Sequence, residues 1–240
     1  MSEEDGSSPG EEGIRLLEVR VLGEVSYPEA LDLQEKAVAE RRRDQIPDQL
    51  FLLEHPHVIT LGTSSREEHL LLTPREREAR GIQLFQAGRG GDVTYHGPGQ
   101  LVGYPILDLK PDRKDLHRYL RDLEEALILA LEGFGIRGHR AEGMTGVWVP
   151  EGKLAAIGVR VSSGWITSHG FALNVNPDLD FFSSIVPCGI REKAVTSMTR
   201  ILGKAPEMEA VHREVVEAFQ EVFLRRADVV QTTNTPGAGG

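Results

Sequence analysis

An α+β fold, with helices set against a sheet of mainly antiparallel or mixed strands, is predicted by three features of the chain. Strand-like segments fill most of its length, three stretches carry an apolar stripe at helical spacing, and several strands follow one another too closely for a helix to cross between them. A crossover between parallel neighbours takes about a dozen residues, more than Leu53 to Val58 or Val161 to Ile166 supplies.

Taken in order, Ile14–Leu22 is rich in branched aliphatics and reads as a strand. Ser26 precedes Glu29 by three positions with Pro28 in the first turn, so a capping box opens the first helix, and Ala30, Leu33, Ala37 and Val38 recur at helical spacing behind it. The run Arg41-Arg42-Arg43 reads as a solvated helix end that suits the helix dipole, or else as a partner-docking patch. Leu50–Leu53, Val58–Leu61, Ile82–Gln86 and Leu101–Leu109 are the next strands. A second helix starts near Asp115, where Leu116, Leu120, Leu123, Leu127, Ala130 and Leu131 share one stripe, and it stops at Gly133-Phe134-Gly135. Thr145–Val149, Leu154–Val161 and Ile166–Val175 return to strand. The third helix runs from about Pro206, a good first-turn residue, with Met208, Val211, Val215, Phe219, Val222 and Phe223 on one face.

The 240 residues carry 37 acidic and 27 basic side chains, a formal charge of −10, and one cysteine. A lone cysteine excludes an internal disulfide framework and favours a reducing, cytoplasmic setting. Glu3, Glu4, Asp5, Glu11 and Glu12 supply half of the net charge, which leaves −5 on the body from Gly13 onward. The expected organisation is a disordered acidic tail over 1–12, a single domain over 13–228 and a flexible tail over 229–240. The acidic balance argues against nucleic acid as a partner. The opening stretch lacks the apolar run of a signal peptide and the arginines of a presequence, and no stretch approaches the ~18 apolar residues of a membrane span.

Gly88-Arg89-Gly90-Gly91-Asp92-Val93-Thr94-Tyr95-His96-Gly97-Pro98-Gly99-Gln100 is the least ordinary segment. So many glycines belong where the chain turns tightly or where a ligand meets the main chain, and both readings stay open. A dinucleotide fingerprint fails because Val93 holds its third glycine position, and a Walker loop fails for want of Gly-Lys-Ser/Thr. His55, His57, His96 and His169 lack the cysteine and carboxylate partners of a zinc site, so no metal is expected and hydrogen bonding or packing suits them better.

Cys188 lies between Pro187 and Gly189, where it is either a small core hydrophobe or a thiol presented from a constrained turn, with the next N–H free to face an oxyanion. A thiol of ordinary pKa is mostly protonated at neutral pH, so a nucleophile needs a cation or base beside it. Lys153, opening the strand Lys-Leu-Ala-Ala-Ile-Gly, is a candidate that spacing alone does not bring to Cys188.

Together, Glu54-His55-Pro56, Arg89 through Gln100, Lys153 through Gly158, His169-Gly170-Phe171-Ala172-Leu173-Asn174-Val175, Pro187-Cys188-Gly189 and Val195-Thr196-Ser197 resemble, in order, the motifs of the lipoyl(octanoyl) transferases. The resemblance covers about residues 50 to 200. It implies the mixed-sheet α+β fold of lipoate and biotin protein ligases. It also implies transfer of an octanoyl group from acyl carrier protein, or in principle a lipoyl group, to a lysine of lipoyl domains. The acceptors would be the E2 subunits of 2-oxoacid dehydrogenases and the glycine-cleavage H protein, with no cofactor and no membrane partner. Cys188 takes the place of the acyl-accepting nucleophile and Lys153 that of the residue that lowers its pKa. Substrate contacts fall on Arg89, Gly90, Gly91, Asp92, Val93, Thr94, Tyr95 and His96, on Ala156, Ile157 and Gly158, and on Gly170, Phe171 and Ala172. An acidic carrier meeting an acidic body calls for a local basic patch, with Arg89 or Arg140 as candidates. Relative to the family, the turn around Ser162-Ser163-Gly164 is about one residue long. The rival readings are an ATP-dependent ligase of the lipoate or biotin type and a non-catalytic acyl or lipoyl-domain binding module.

Overall fold

In a computed structural model, residues 14–186 and 194–231 are described. The elements are β1 (Arg15–Glu24), α1 (Tyr27–Arg42), β2 (Asp48–Glu54), β3 (Val58–Leu61), α2 (Pro74–Ala79), β4 (Gln83–Gln86), β5 (Val93–His96) and β6 (Gln100–Ile106). They continue with α3 (Leu116–Glu132), β7 (His139–Ala141), β8 (Met144–Val149), β9 (Gly152–Val161), β10 (Thr167–Asn174), α4 (Met198–Leu202), α5 (Met208–Phe223) and β11 (Arg225–Gln231). Eight strands form a mixed sheet in the order β11-β1-β2-β6-β10-β9-β8-β7, and β4-β3-β5 form a second, smaller one. Among the strands of the described residues, only the β11–β1–β2 and β3–β4 pairings are parallel. The predicted α+β class with a mixed sheet is therefore the observed one.

Apolar residues on one face of the large sheet, among them Leu17, Leu52, Leu101 and Leu173, meet the stripes of α3 and α5, where Leu123, Leu127, Val215 and Phe219 are fully buried. The opposite face packs Phe51, Val102, Tyr104 and Ala172 against α1. The Ser26 box forms as predicted, with the Glu29 N–H donating to Ser26 Oγ and the Ser26 N–H to Glu29 Oε2. The buried stripe of α1 is rotated from the predicted one, however, and includes Tyr27, Gln34 and Arg41.

Within the run, Arg42 and Arg43 are exposed at the helix end as expected, but Arg41 departs from both the solvated and the docking readings. Its Nε donates to Asp48 Oδ1 at 2.8 Å, and Asp48, wholly buried, also accepts from Arg15 Nη2 and Arg225 Nε at 3.0 Å. One carboxylate thus joins β1, α1, β2 and β11, and ionic pairing overrides what the helical pattern implied. Four more elements depart from expectation. Val93–His96 is a strand paired with β3, the predicted Leu101–Leu109 strand ends at Ile106, and α2 occupies a stretch with no buried residue. The fourth, β11, pairs with β1 through Gln231, three residues past the expected domain end. The long turn before β10 closes without breaking register, since Ser162 N–H donates to Ile166 O and Trp165 takes φ 63°, which absorbs an extra residue. Among the described residues no helix is long and apolar enough to cross a membrane.

Candidate active site

The glycine-rich segment folds back over the β9–β10 pair and closes a cleft between them. Its docking is main-chain chemistry: Gly90 N–H donates to Val159 O at 2.9 Å, and Thr63 and Ser64 N–H donate to Arg89 O and Gly91 O at 3.0 Å. Gly158 permits the approach, because a Cβ there would stand 3.0 Å from Gly90 O. The Arg89 side chain then clamps the loop from beneath, donating to Thr60 O at 2.7 Å, Thr60 Oγ1 at 2.9 Å, Asp92 O at 2.8 Å and Gly90 O at 3.1 Å.

Of the residues expected to touch substrate, Arg89, Gly90, Gly91, Asp92, Val93, Thr94 and His96 line this cleft, as do Ala156, Ile157, Gly158, Gly170, Phe171 and Ala172. Tyr95 does not. It points to the other side of β5, where its hydroxyl pairs with His57 Nδ1 at 2.7 Å and its ring stacks on Phe181. Strand alternation puts the Tyr95 side chain opposite those of Thr94 and His96, in the cluster with Ile59 that Val93 also reaches. Of the two candidates for a basic docking patch, Arg89 is buried in the clamp, while Arg140 is exposed and paired with Glu124 and Glu125.

Lys153 lines one end of the cleft. Its N–H donates to Ala194 O at 2.9 Å and its carbonyl accepts from Thr196 N–H at 3.0 Å, so β9 is fastened to residues 194–196. Its Nζ lies 5.3 Å from the Trp148 ring centre. Gly146, at φ 120°, makes room for the side chain, since a Cβ would fall 2.7 Å from Lys153 Cε. The Gly146 N–H donates at 3.0 Å to Oε1 of Glu124, a wholly buried carboxylate of α3 whose other oxygen accepts from Arg121 and Arg140. Cys188 and Gly189, the expected nucleophile and oxyanion donor, lie outside the described residues, as do 1–13 and 232–240.

Several lining residues were not foreseen as site residues: Tyr27, Gln100, Tyr104, His169, Asn174, Phe182 and Val195. Two of them, Gln100 and Asn174, build a relay of amides from His96 to Thr196. His96 Nδ1 pairs with Gln100 Oε1 at 2.7 Å, Gln100 Nε2 donates to Asn174 Oδ1 at 2.9 Å, and Asn174 Nδ2 donates to Thr196 O at 3.0 Å. A second polar group gathers farther along β6, where His55 Nδ1–H donates to Val25 O at 2.6 Å and Tyr104 O–H donates to His55 Nε2 at 2.8 Å. His169, at φ 55°, donates its N–H to Gln34 Oε1 at 2.7 Å. Burial holds these imidazoles neutral: His55 and His169 are pushed down to about 4, and His96, with His55 as a further cause, to about 3. Burial likewise raises the Tyr104 hydroxyl well above its ordinary range. The cleft therefore presents mostly apolar and main-chain walls, one lysine at one end, and neutral polar rings at the other.

The family model of the lipoyl protein ligase A/B catalytic domain matches residues 26–220. An octanoyltransferase of Rubrobacter xylanophilus is 53% identical over 215 residues, covering 89% of this chain and 96% of that protein. One from Chloroflexus aurantiacus is 50% identical over 212 residues, covering 88% and 95%. Among solved structures, a bi-partite lipoate protein ligase from Thermoplasma acidophilum superposes with a TM-score of 0.65 at 18% identity, covering 92% of this chain and 87% of that one.

Proposed function

The chain belongs to the lipoyl protein ligase A/B catalytic family and within it to the octanoyltransferases, which makes it an acyltransferase, and from that premise we propose how it moves an octanoyl group in protein lipoylation. The donor is octanoyl acyl carrier protein and the acceptor a lysine of a lipoyl domain, on an E2 subunit of a 2-oxoacid dehydrogenase or on the glycine-cleavage H protein. Cys188 carries the acyl group between them. The observation that carries this reading is the place of Lys153. It lines the end of the cleft and is hydrogen-bonded on both sides of its peptide to residues 194–196, which follow directly on the segment that contains Cys188.

The chemistry is two acyl exchanges. The Cys188 thiolate, paired with the Lys153 ammonium, attacks the donor thioester carbonyl; a C–S bond forms and the carrier's thiolate leaves with the Lys153 proton. The acceptor lysine, near pKa 10.4 in water, gives one proton to solvent to become the neutral amine, forms the amide C–N bond as its second proton passes to neutral Lys153, and expels the Cys188 thiolate, which restores the thiolate–ammonium pair. Backbone N–H groups such as those of Cys188 and Gly189 hold the tetrahedral oxyanion. Exchange between thioesters is nearly balanced and thioester to amide runs downhill, so no nucleotide is needed. Val93, Ala156, Ile157 and Phe171 offer the acyl chain apolar wall, worth about 0.8 kcal/mol per buried methylene. A free thiol of this kind suits a reducing compartment such as the cytoplasm.

Intact mass spectrometry tests the reading. Mixed with octanoyl carrier protein and no nucleotide, the wild type should gain one octanoyl group and Cys188→Ser none. An ATP requirement, or acylation that survives Cys188→Ser, would overturn it. In Lys153→Ala, alkylation of Cys188 should need a higher pH, and an unchanged profile would remove Lys153 from its role.

A further inference from the structure

We propose that the cluster of Tyr27, His55, Tyr104 and His169 is a polar stop that sets acyl-chain length, with the Tyr27 hydroxyl as the group an overlong chain meets. The inference deepens the octanoyl reading and rests on it.

The rings are contiguous. Tyr27 and His55 lie 5.5 Å apart edge-on, His55 and Tyr104 5.9 Å, and Tyr104 and His169 6.3 Å. Tyr27, Tyr104 and His169 line the cleft, while His55 stands behind Tyr104 and accepts its hydroxyl proton. Tyr27 is only 2% exposed, and its hydroxyl finds no hydrogen-bond partner among the described residues. A buried hydroxyl without a partner is costly, and because this one is closed to water, a chain that reaches the rings meets a wall that offers it no room.

Strand register places the cluster opposite Lys153. Asn174 and Gln100 pair across β10 and β6 at the end fastened to Thr196, and Tyr104 follows Gln100 by four residues on the same face. Four residues of strand rise about 13 Å. An extended eight-carbon chain spans roughly 9 Å with C–C bonds of about 1.5 Å, which leaves space for a thioester at the Lys153 end and none for much beyond the terminal methyl at the other. Two further carbons add roughly 2.5 Å and reach the rings. An apolar end wall would grade chain length gently; a wall with an unsatisfied hydroxyl discriminates more sharply.

Binding of hexanoic, octanoic, decanoic and dodecanoic acids, measured by calorimetry, tests the stop without requiring catalysis. The wild type should favour octanoic acid. Because the Tyr27 hydroxyl has no partner among the described residues to lose, Tyr27→Phe should keep the native thermal stability while raising decanoic relative to octanoic affinity about tenfold. Tyr27→Leu, which also opens space, should extend the gain to dodecanoic acid. Affinity ratios within about twofold of wild type in both variants would overturn the stop. A shifted ratio in a protein that octanoyl carrier protein fails to acylate would instead sink the transfer reading and leave the stop standing.

Discussion

Replacing Arg89 by methionine removes the clamp under the glycine-rich segment while keeping much of the side-chain volume. The guanidinium, 8% exposed, satisfies three main-chain carbonyls, Thr60 O, Gly90 O and Asp92 O, together with the Thr60 hydroxyl. A buried acceptor left unpaired costs about 1–3 kcal/mol, and the relief of no longer burying a cation offsets part of the sum, so a loss of about 3–5 kcal/mol is expected. For a domain of this size, with about 2–4 °C per kcal/mol, the melting temperature should fall by about 10 °C. Arg89→Lys keeps the charge but not the planar fork, and should recover less than half of that loss. Calorimetric unfolding gives the magnitude. The same variants should raise KM for the acyl donor more than they lower kcat, because the loop walls the cleft without supplying a reacting group. A methionine variant within about 1 kcal/mol of wild type would refute the clamp.

Two other consequences are open to measurement. With folded values of about 4, 3 and 4 against an ordinary 6.5, His55, His96 and His169 bind protons in the unfolded chain before they do in the folded one. Their contribution is therefore complete above about pH 6.5 and is lost as pH falls toward the folded values, by several kcal/mol in all. Urea melts from pH 7 to pH 4 should show this fall, and His169→Gln should reduce its slope by about one proton; a flat profile would contradict neutral burial. Glu124→Ala should cost about 2–3 kcal/mol by stripping the Gly146 N–H and Arg140 of their acceptor. Since Gly146 is packed on Lys153, the pH profile of Cys188 alkylation should move in the same direction as in Lys153→Ala, and a shift in stability alone would separate the two roles.

Where the chain repeats a strong local pattern, sequence and structure agree. The Ser26 cap, the helix start near Asp115 and the stripes of α3 and α5 are local devices, so neighbouring residues suffice to read them. β11 lacks a strand pattern because Arg225-Arg226-Ala227-Asp228 is mostly charged and its two valines, Val229 and Val230, stay exposed at a sheet edge. α2 has no apolar face, although Thr73, Pro74 and Glu76 spell out the same capping box as Ser26 to Glu29. The cleft shows the same division. Its glycine-rich wall and its β9 and β10 walls each occupy one continuous segment and could be named from motif alone. Tyr27 comes from a helix N-terminus and Tyr104 from a strand interior, each with an ordinary core reading in its own neighbourhood. Only the fold makes them neighbours, through His55.

The Asp48 ion cluster also imposes an order of events on a chain made from its N-terminus. Arg15 and Arg41 are available soon after Asp48 is synthesised, but Arg225 follows 177 residues later, a delay on the order of tens of seconds during translation. Throughout that interval β1 has an open edge, and the apolar face of α3 lacks the α5 residues Val215, Phe219 and Phe223 that cover it. The cleft lies on the other face, built from residues that have already emerged. On the ribosome, then, the cleft can be assembled while the large apolar face under α3 and α5 is still uncovered, and the interval of greatest aggregation risk ends only as β11 arrives.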